Sequence, residues 1–514
     1  MPDTLAQPNK VVYPVLSPRR VCLLAIMAAV PLAVQLVTPI FGDIRLTYAN
    51  AFLTGQVGSF PENISYFGLM RGFGYKCLYY GLYRAAELVV DSRSPFAFEL
   101  VTRLIYYSGY LLLSAWFFYL LRGRLVVFGL HWLEAMLLFL IGILATSYHV
   151  HQQPEELAIL LAVGLTAFSL SDRRGLNVLS GIFVPLMFTC KAVTLWPAVF
   201  PFVLVLATRD RGRILRVGAS WAVFAAAAVA FHLVVIPQEI ANLRDAAMIQ
   251  GGSCWAPRVL RGCIAMALLS FAEIPICSFA AICFGWFLWQ GIDKQQWKEF
   301  LLALGAIAIA VPPLIIQTYH QTYHYLQLFP AAFLIALWPL RSTADVGRRG
   351  RLVLAMAVVM FGSWMFWTFS GINEHSYIWL WMKAAWRHNT SLQQLDRQFH
   401  LSQEPEILYL SKGDSNYVIR AMSDSRYFGH AMLERVKDSE SFRGRQREVF
   451  QIVLNDALVY RGKYVYLADN IPLEYLPELR AKLKNEYEPV SPLIEEFHPF
   501  PDAQLYRRKS TAPK

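Results

Sequence analysis

Apolar runs about as long as a bilayer is thick recur through the first two thirds of this chain, and no other feature constrains its fold as strongly. The first, Val21 to Phe41, spans about 20 residues, which is enough to cross the hydrocarbon core as a helix. Further runs follow at 97–121, 125–146, 157–171, 176–190, 193–207, 214–236, 260–289, 298–316, 323–340 and 352–371, making eleven candidates. Those at 157–171, 176–190 and 193–207 are short and are expected to be tilted, broken or half-inserted. Only 16% of the residues are charged and 56% are hydrophobic, whereas soluble chains carry about 25% charged residues. The expected class is therefore a polytopic α-helical membrane protein. A cleaved signal peptide fits the first run poorly: the run is too long for an h-region and lacks a small-residue cleavage site.

The loops set an orientation. Arg122 and Arg124, Asp172 to Arg174, Arg209 to Arg213, Asp293 and Lys294, and Arg341 to Arg351 form one set of short loops rich in Lys and Arg. The alternate set includes 147–156 and 317–322, which contain neither. The positive-inside rule places the basic set and residues 1–20 in the cytoplasm, with Lys191 the one exception. Eleven spans over 21–371 then put the tail, 372–514, outside, in what we expect to be a bacterial plasma membrane. The net charge of +11 serves topology, so a nucleic-acid partner is not expected. Seven Cys with no CxxC spacing do not make a disulfide scaffold or a zinc site. Cys77 and Cys254 both fall outside on this topology, where a bridge is allowed.

Two outside segments are large. The loop 42–95 holds two weakly amphipathic stretches, Ile44–Thr54 and Tyr66–Val90; the second places Phe67, Phe73, Tyr75, Tyr79, Tyr80 and Tyr83 beside Arg71, Lys76 and Arg84. Such stretches either lie in the membrane interface or pack as an ordinary loop. The tail turns polar and reads as strand Ile407–Ser411, helix Arg443–Leu458, strand Lys463–Ala468, helix Leu473–Tyr487 and strand Gln504–Arg508. That alternation predicts a small α/β layer domain. Lys412 to Asn416 is no glycine-rich phosphate loop.

Ionisable groups at a bilayer are costly and mark functional candidates. Asp43 directly follows the first run, in Phe41-Gly-Asp-Ile-Arg45; it is either a general base for a hydroxyl acceptor or an interfacial carboxylate paired with Arg45. Glu155 and Glu156 open the 157–171 run after Pro154. They form either an acidic site or a first-turn cap favoured by the helix dipole. His149 and His151 stand two apart, which does not put both on one helix face, and leave a metal site open. Lys191 interrupts an apolar run and either binds a phosphate as a point charge or snorkels to the interface. His320 and His324 stand four apart in Tyr319-His-Gln-Thr-Tyr-His-Tyr325 and share a helix face, as sugar or phosphate contacts or as part of an aromatic belt. Arg103 and Glu273 are expected near outer ends, and Glu134 deeper, as a structural partner or a half-neutral acid.

This layout resembles the GT-C superfamily of membrane glycosyltransferases. The likeness rests on Gly42-Asp43 closing the first span before a long outer loop, and on His151-Gln-Gln-Pro-Glu-Glu-Leu157 opening the fourth. It also rests on Thr189-Cys-Lys-Ala-Val-Thr-Leu-Trp-Pro197 between two short spans and on Tyr323-His-Tyr-Leu-Gln-Leu-Phe-Pro330 opening a late one. A weaker likeness lies in the tail, in Ser425-Arg-Tyr427, Lys463-Tyr-Val-Tyr-Leu467 and Leu505-Tyr-Arg-Arg508. The chain departs from the pattern in one respect: many members carry two adjacent acids in the first loop, whereas Asp43 stands alone.

The resemblance implies a sugar donor carried on a polyprenyl phosphate and transfer, usually with inversion, to a lipid, protein or polysaccharide acceptor on the outer face. It implies Asp43 as base, with Glu155 or Glu156 holding sugar hydroxyls or replacing it. Lys191, His324 and Arg103 would meet the donor phosphate, and Arg45, His320 and Tyr323 would contact substrate. It leaves a divalent metal open. Three other classes compete. An O-antigen-type polymerase or ligase usually has its large outer loop late in the chain. A transporter or flippase usually shows repeats and midplane polar residues, and a non-catalytic scaffold would need none of these side chains.

Overall fold

In a computed structural model, the described residues are 16–38, 47–48, 51–52, 72–90, 95–146, 151–191, 198–237, 329–341, 345–369, 378–405, 407–410, 445–468, 471–492 and 503–510, with isolated positions between them. They are mainly helical, with one small sheet. Among the described residues, four helices are long and apolar enough to cross a membrane: Pro18–Val37, Phe96–Phe128, Arg211–Val234 and Val346–Phe366. The candidate runs 260–289 and 298–316 lie outside the described residues apart from single positions. The chain divides into two compact units.

Unit 1 comprises residues 1–37, 106–231 and 253–377. Its first helix, α1 (Pro18–Val37), starts where Pro18 supplies a preset φ at the first turn. Helix α2 (Phe73–Glu87) belongs to unit 2. Helix α3 (Pro95–Leu125) runs from unit 2 into unit 1. A short 3₁₀ turn and Gly129, at φ +62, then reverse the chain; a Cβ there would also meet the Arg349 guanidinium. Helix α4 (Trp132–Leu144) starts on a capping box, in which the His131 ring accepts from Leu133 N and the Glu134 carboxylate accepts from His131 N.

Helix α4 is buried on every face from Glu134 to Leu144, the pattern of a core helix. At about 1.5 Å per residue it is about 20 Å long, too short to span a bilayer alone. It packs against α1 and α11 (Val346–Phe369). Phe139 meets Phe329 and Phe333 of α10 (Phe329–Arg341) at ring separations of 5.6 and 5.9 Å.

Helix α5 (Pro154–Ser169) follows. After it come α6 (Arg174–Leu179), a 3₁₀ turn and α7 (Phe183–Cys190), then α8 (Val199–Ala207) and α9 (Arg211–Val234). Gly164 lets Phe117 and Phe183 close over α5, since a Cβ there would sit 2.6 Å from the Phe183 ring. The rings of Phe117, Phe168 and Phe183 pack edge to face within 5.0–6.3 Å, a geometry that adds to their burial.

The charged loops of unit 1 gather at one end. Arg124, in the last turn of α3, and Arg213, at the start of α9, lie 2.9 and 3.0 Å from the same Asp172 carboxylate oxygen beyond α5. Arg20 of α1 pairs with Glu134 at 2.8 Å. Glu134 therefore sits in the first turn of α4 at this basic end, not deep within a span as the unbroken apolar run suggested. The helix begins at Trp132, seven residues after the run does. By helix direction, the start of α5 and the end of α7 lie at the opposite end of the unit, about 24 Å away along α5.

Unit 2 comprises residues 38–105, 232–252 and 378–514. Its amphipathic α2 buries Tyr75, Tyr79 and Tyr83, with Tyr79 and Phe98 edge-on to Tyr48 at 5.1 and 5.8 Å. Helix α12 (Ile378–Phe399) was not foreseen from the sequence. Among the described residues, the tail forms a four-stranded sheet in the order β1-β2-β4-β3, from β1 (Leu408–Leu410), β2 (Tyr464–Ala468), β3 (Tyr487–Pro489) and β4 (Ala503–Arg508). Strands β1 and β2 are parallel, joined by a connection that includes α13 (Arg445–Val459); the other pairings are antiparallel. Val465, Leu467, Leu408 and Leu410 pack with Phe450, Val453 and Ala457 of α13 and with Leu479 and Leu483 of α14 (Pro477–Glu486). The expected helix 473–487 is a 3₁₀ turn followed by α14, because Pro477 restarts the helix, and its last residue, Tyr487, begins β3.

Ion pairs lace the edge of this sheet. The Glu486 carboxylate accepts from Arg461 at 3.0 Å and from Lys482 at 3.3 Å. Burial works against the Glu486 charge, but hydrogen bonds from Lys482 and Arg461 outweigh it and hold the carboxyl below its ordinary value. Burial pushes Lys482 below its own ordinary value, which its bond to Glu486 only partly offsets.

Candidate functional site

The expected site residues divide into three groups. Asp43, Arg45, His320, Tyr323 and His324 lie outside the described residues, as do His149 and Cys254. Arg103 is buried on α3, in unit 2. Glu155, Glu156 and Lys191 fall together in unit 1, at the end opposite the basic loops.

Helix direction brings them there. Pro154 opens α5, with Gln153 as its N-cap, so Glu155 and Glu156 occupy the first turn. Lys191 is the C-cap of α7, in extended conformation at φ −167 and ψ 133. The two helices pack side by side and run antiparallel, since Phe183 at the start of α7 meets Gly164 and Phe168 late in α5, so the start of one meets the end of the other. Lys191 Nζ donates to Glu155 Oε1 at 2.7 Å. The Glu155 side chain is fully buried, while Lys191 remains 17% exposed. The carboxylate sits at the positive pole of α5 and the ammonium at the negative pole of α7, so both dipoles reinforce the pair.

Glu156 faces a second set of groups. Its Oε2 accepts from the backbone N–H of Gln152, which holds Gln152 in the left-handed region at φ +62. Its Oε1 lies 3.8 Å from His151 Nδ1, too long for a hydrogen bond. His151 Nε2 lies 3.3 Å from Thr146 Oγ1. Tyr107 stands edge-on to the His151 ring at 6.4 Å, and Tyr106 links Tyr107 to Tyr110 at 5.2 and 6.1 Å. Among the described residues, neither Glu156 Oε1 nor the Tyr110 hydroxyl has a hydrogen-bond partner.

Glu155 and Glu156 both occupy the first turn of α5; Glu156 accepts a backbone N–H there and Glu155 pairs with Lys191. Tyr106, Tyr107 and Tyr110 were not singled out from the sequence. Their spacing of one and four within an apolar run was the available signal, because it places polar-tipped rings on one side of a span. Among the described residues, no group of three or more His, Cys, Asp or Glu is placed to hold a metal ion.

Chemically, this end offers one lysine that is mostly buried, two buried carboxylates and an aromatic wall with hydroxyl tips. Lys191 can meet an anion from outside, whereas Glu156 has no exposed surface and faces the protein interior. No protein-family model matches the sequence, and no curated protein matches it.

Proposed function

We propose that the chain is a multi-pass membrane glycosyltransferase that moves a sugar from a polyprenyl-phosphate donor to an acceptor on the outer face of the plasma membrane. The observation that carries this reading is the ammonium of Lys191 set beside Glu155 at the end of unit 1 remote from the basic loops. A lysine at that end serves no purpose under the positive-inside rule, but it suits a lipid phosphate held at the outer surface.

In this reading the acceptor oxygen attacks the anomeric carbon and forms the new glycosidic bond. The bond from that carbon to the phosphate oxygen breaks, and its electron pair leaves on the phosphate. The acceptor proton passes to a carboxylate, with Asp43 as the expected base and Glu155 or Glu156 as the other candidates. The donor is a phosphodiester, so the leaving lipid phosphate gains charge. A fixed cation aimed at that charge lowers the barrier more than the same cation would in water. Lys191 supplies that role, with His324 and Arg103 as further candidates, and Arg45, His320 and Tyr323 as substrate contacts. The tail domain selects the acceptor.

The test is a comparative mass profile of lipid-linked and envelope glycans in wild type, a deletion strain, and the deletion complemented with Asp43→Asn at wild-type abundance. A sugar lost in both altered strains, with its polyprenyl-phosphate donor accumulating, supports the reading and names the sugar. Full restoration by the Asn variant moves the base to Glu155 or Glu156. Unchanged glycans in the deletion strain discard transfer in favour of transport or a scaffold.

A further inference from the structure

We propose that Glu155 is a built-in competitor for the phosphate at Lys191, an internal anion that returns to the lysine and expels the phosphate-bearing product. This inference rests on the transferase reading above for the identity of its ligand.

The structure shows one cation held by one carboxylate, and an arriving phosphate competes with that carboxylate for the same cation. Lys191 Nζ is already held by Glu155 Oε1 at 2.7 Å. Its 17% exposure leaves part of the side chain open to an incoming group, while Glu155 has none. An arriving phosphate therefore meets an ammonium whose charge is largely matched. It draws the lysine outward only at the cost of weakening a buried ion pair. That cost is high for Glu155, because a fully buried carboxylate is expensive to leave without its cation. The first turn of α5 softens the cost but does not remove it, since the helix pole favours the carboxylate only weakly.

Competition of this kind suits a transferase that must let go. The product, a polyprenyl monophosphate, carries more charge than the diester donor and would grip an unmatched lysine more tightly. Glu155 opposes that grip with a charge that cannot diffuse away. The same chemistry would act on any phosphate monoester, so inorganic phosphate and the lipid monophosphate are both probes of it.

The experiment uses the full chain in nanodiscs, with binding of undecaprenyl phosphate and of inorganic phosphate measured separately. The variants are Glu155→Gln, Glu155→Asp, Lys191→Met and the Lys191→Met/Glu155→Gln double. Glu155→Gln should bind undecaprenyl phosphate about tenfold more tightly than wild type, a difference of about 1.4 kcal/mol. Glu155→Asp, with its shorter reach, should fall between the two. Lys191→Met and the double variant should lose the gain. Tightening toward both probes supports a phosphate-selective lysine, and tightening toward the lipid alone supports the same competition with the headgroup as its source.

Phosphate-dependent thermal stabilisation provides a second readout, because a ligand that binds the folded chain more tightly raises its melting point further. If Glu155→Gln does not fold, Glu155→Asp alone decides, by binding more tightly than wild type or failing to. Unchanged or weaker binding in a folded Glu155 variant overturns the proposal, as does wild-type binding by Lys191→Met. Sugar transfer is scored apart from binding: competition without any transfer removes the transferase reading and leaves an anion site that Glu155 controls.

Discussion

Lys191 and Glu155 stand 36 residues apart in sequence and 2.7 Å apart in space, joining the C-cap of one helix to the first turn of its antiparallel neighbour. The pair ties together two helices that are each too short to cross a bilayer alone. Breaking it from one side is expected to cost more than removing it whole. Lys191→Met should destabilise the chain by about 2–4 kcal/mol, somewhat less than a fully buried pair because water reaches the lysine. Adding Glu155→Gln to Lys191→Met should recover most of that loss. Thermal unfolding of the detergent-solubilised chain checks the order; a double variant less stable than Lys191→Met would contradict it.

Gln152 holds a left-handed backbone conformation at φ +62, with its N–H on the Glu156 carboxylate. L-residues pay about 1–2 kcal/mol to adopt that region, and a β-branched side chain pays more. Gln152→Val should therefore lower the melting temperature while Gln152→Gly remains close to wild type. The comparison isolates the backbone, because both substitutions remove the same amide.

How far these contacts were legible differs from place to place. Strands β1 and β2 were readable because each is a short run of apolar and aromatic residues, as in Tyr464–Ala468, and β4 because apolar and polar residues alternate across Ala503, Gln504 and Leu505. Strand β3 was not readable: its three residues continue directly out of α14 and end on Pro489. The depth of Glu134 was misjudged because hydropathy runs unbroken across Gly129, Leu130 and His131. The helix start is encoded instead by His131 and Glu134 at capping-box spacing. Glu155, Glu156 and Lys191 were each visible as charges in apolar surroundings. Their juxtaposition was not, because it depends on how α5 and α7 pack.

The opposed ends of unit 1 predict a labelling pattern. Arg173 lies at the basic end, beside the Asp172 cluster, and Thr189 lies in the last turn of α7, near Lys191. In a background with the native cysteines replaced, Thr189→Cys should react with an impermeant maleimide on intact cells. Arg173→Cys should react only after permeabilisation. Labelling of both from the same side would contradict a membrane crossing between them.

Glu486 ties the edge of the tail sheet to pH. Its carboxyl lies below its ordinary value in the fold because hydrogen bonds from Lys482 and Arg461 outweigh the cost of burial. A group depressed by folding stabilises fully above its unfolded pKa, and that contribution disappears as the pH falls through the folded value. Glu486→Gln should therefore speed hydrogen exchange in β4 of the full chain near neutral pH. The difference from wild type should shrink between about pH 5 and pH 3. A difference that stays constant across that window would mean that packing, not charge, is what the substitution removes.

The central claim is that phosphate leaving a lipid-linked sugar is met at Lys191. It is tested most directly by incubating the purified chain in nanodiscs with lipid extract from the deletion strain, which carries any accumulated donor, and quantifying free polyprenyl monophosphate by mass spectrometry. Wild type should release it together with a sugar-bearing product, and folded Lys191→Met should release at least about a hundredfold less, the loss typical when one charge-stabilising group is removed. Release by Lys191→Met at the wild-type rate would contradict the role assigned to this lysine, and absence of release by wild type would contradict the transferase itself.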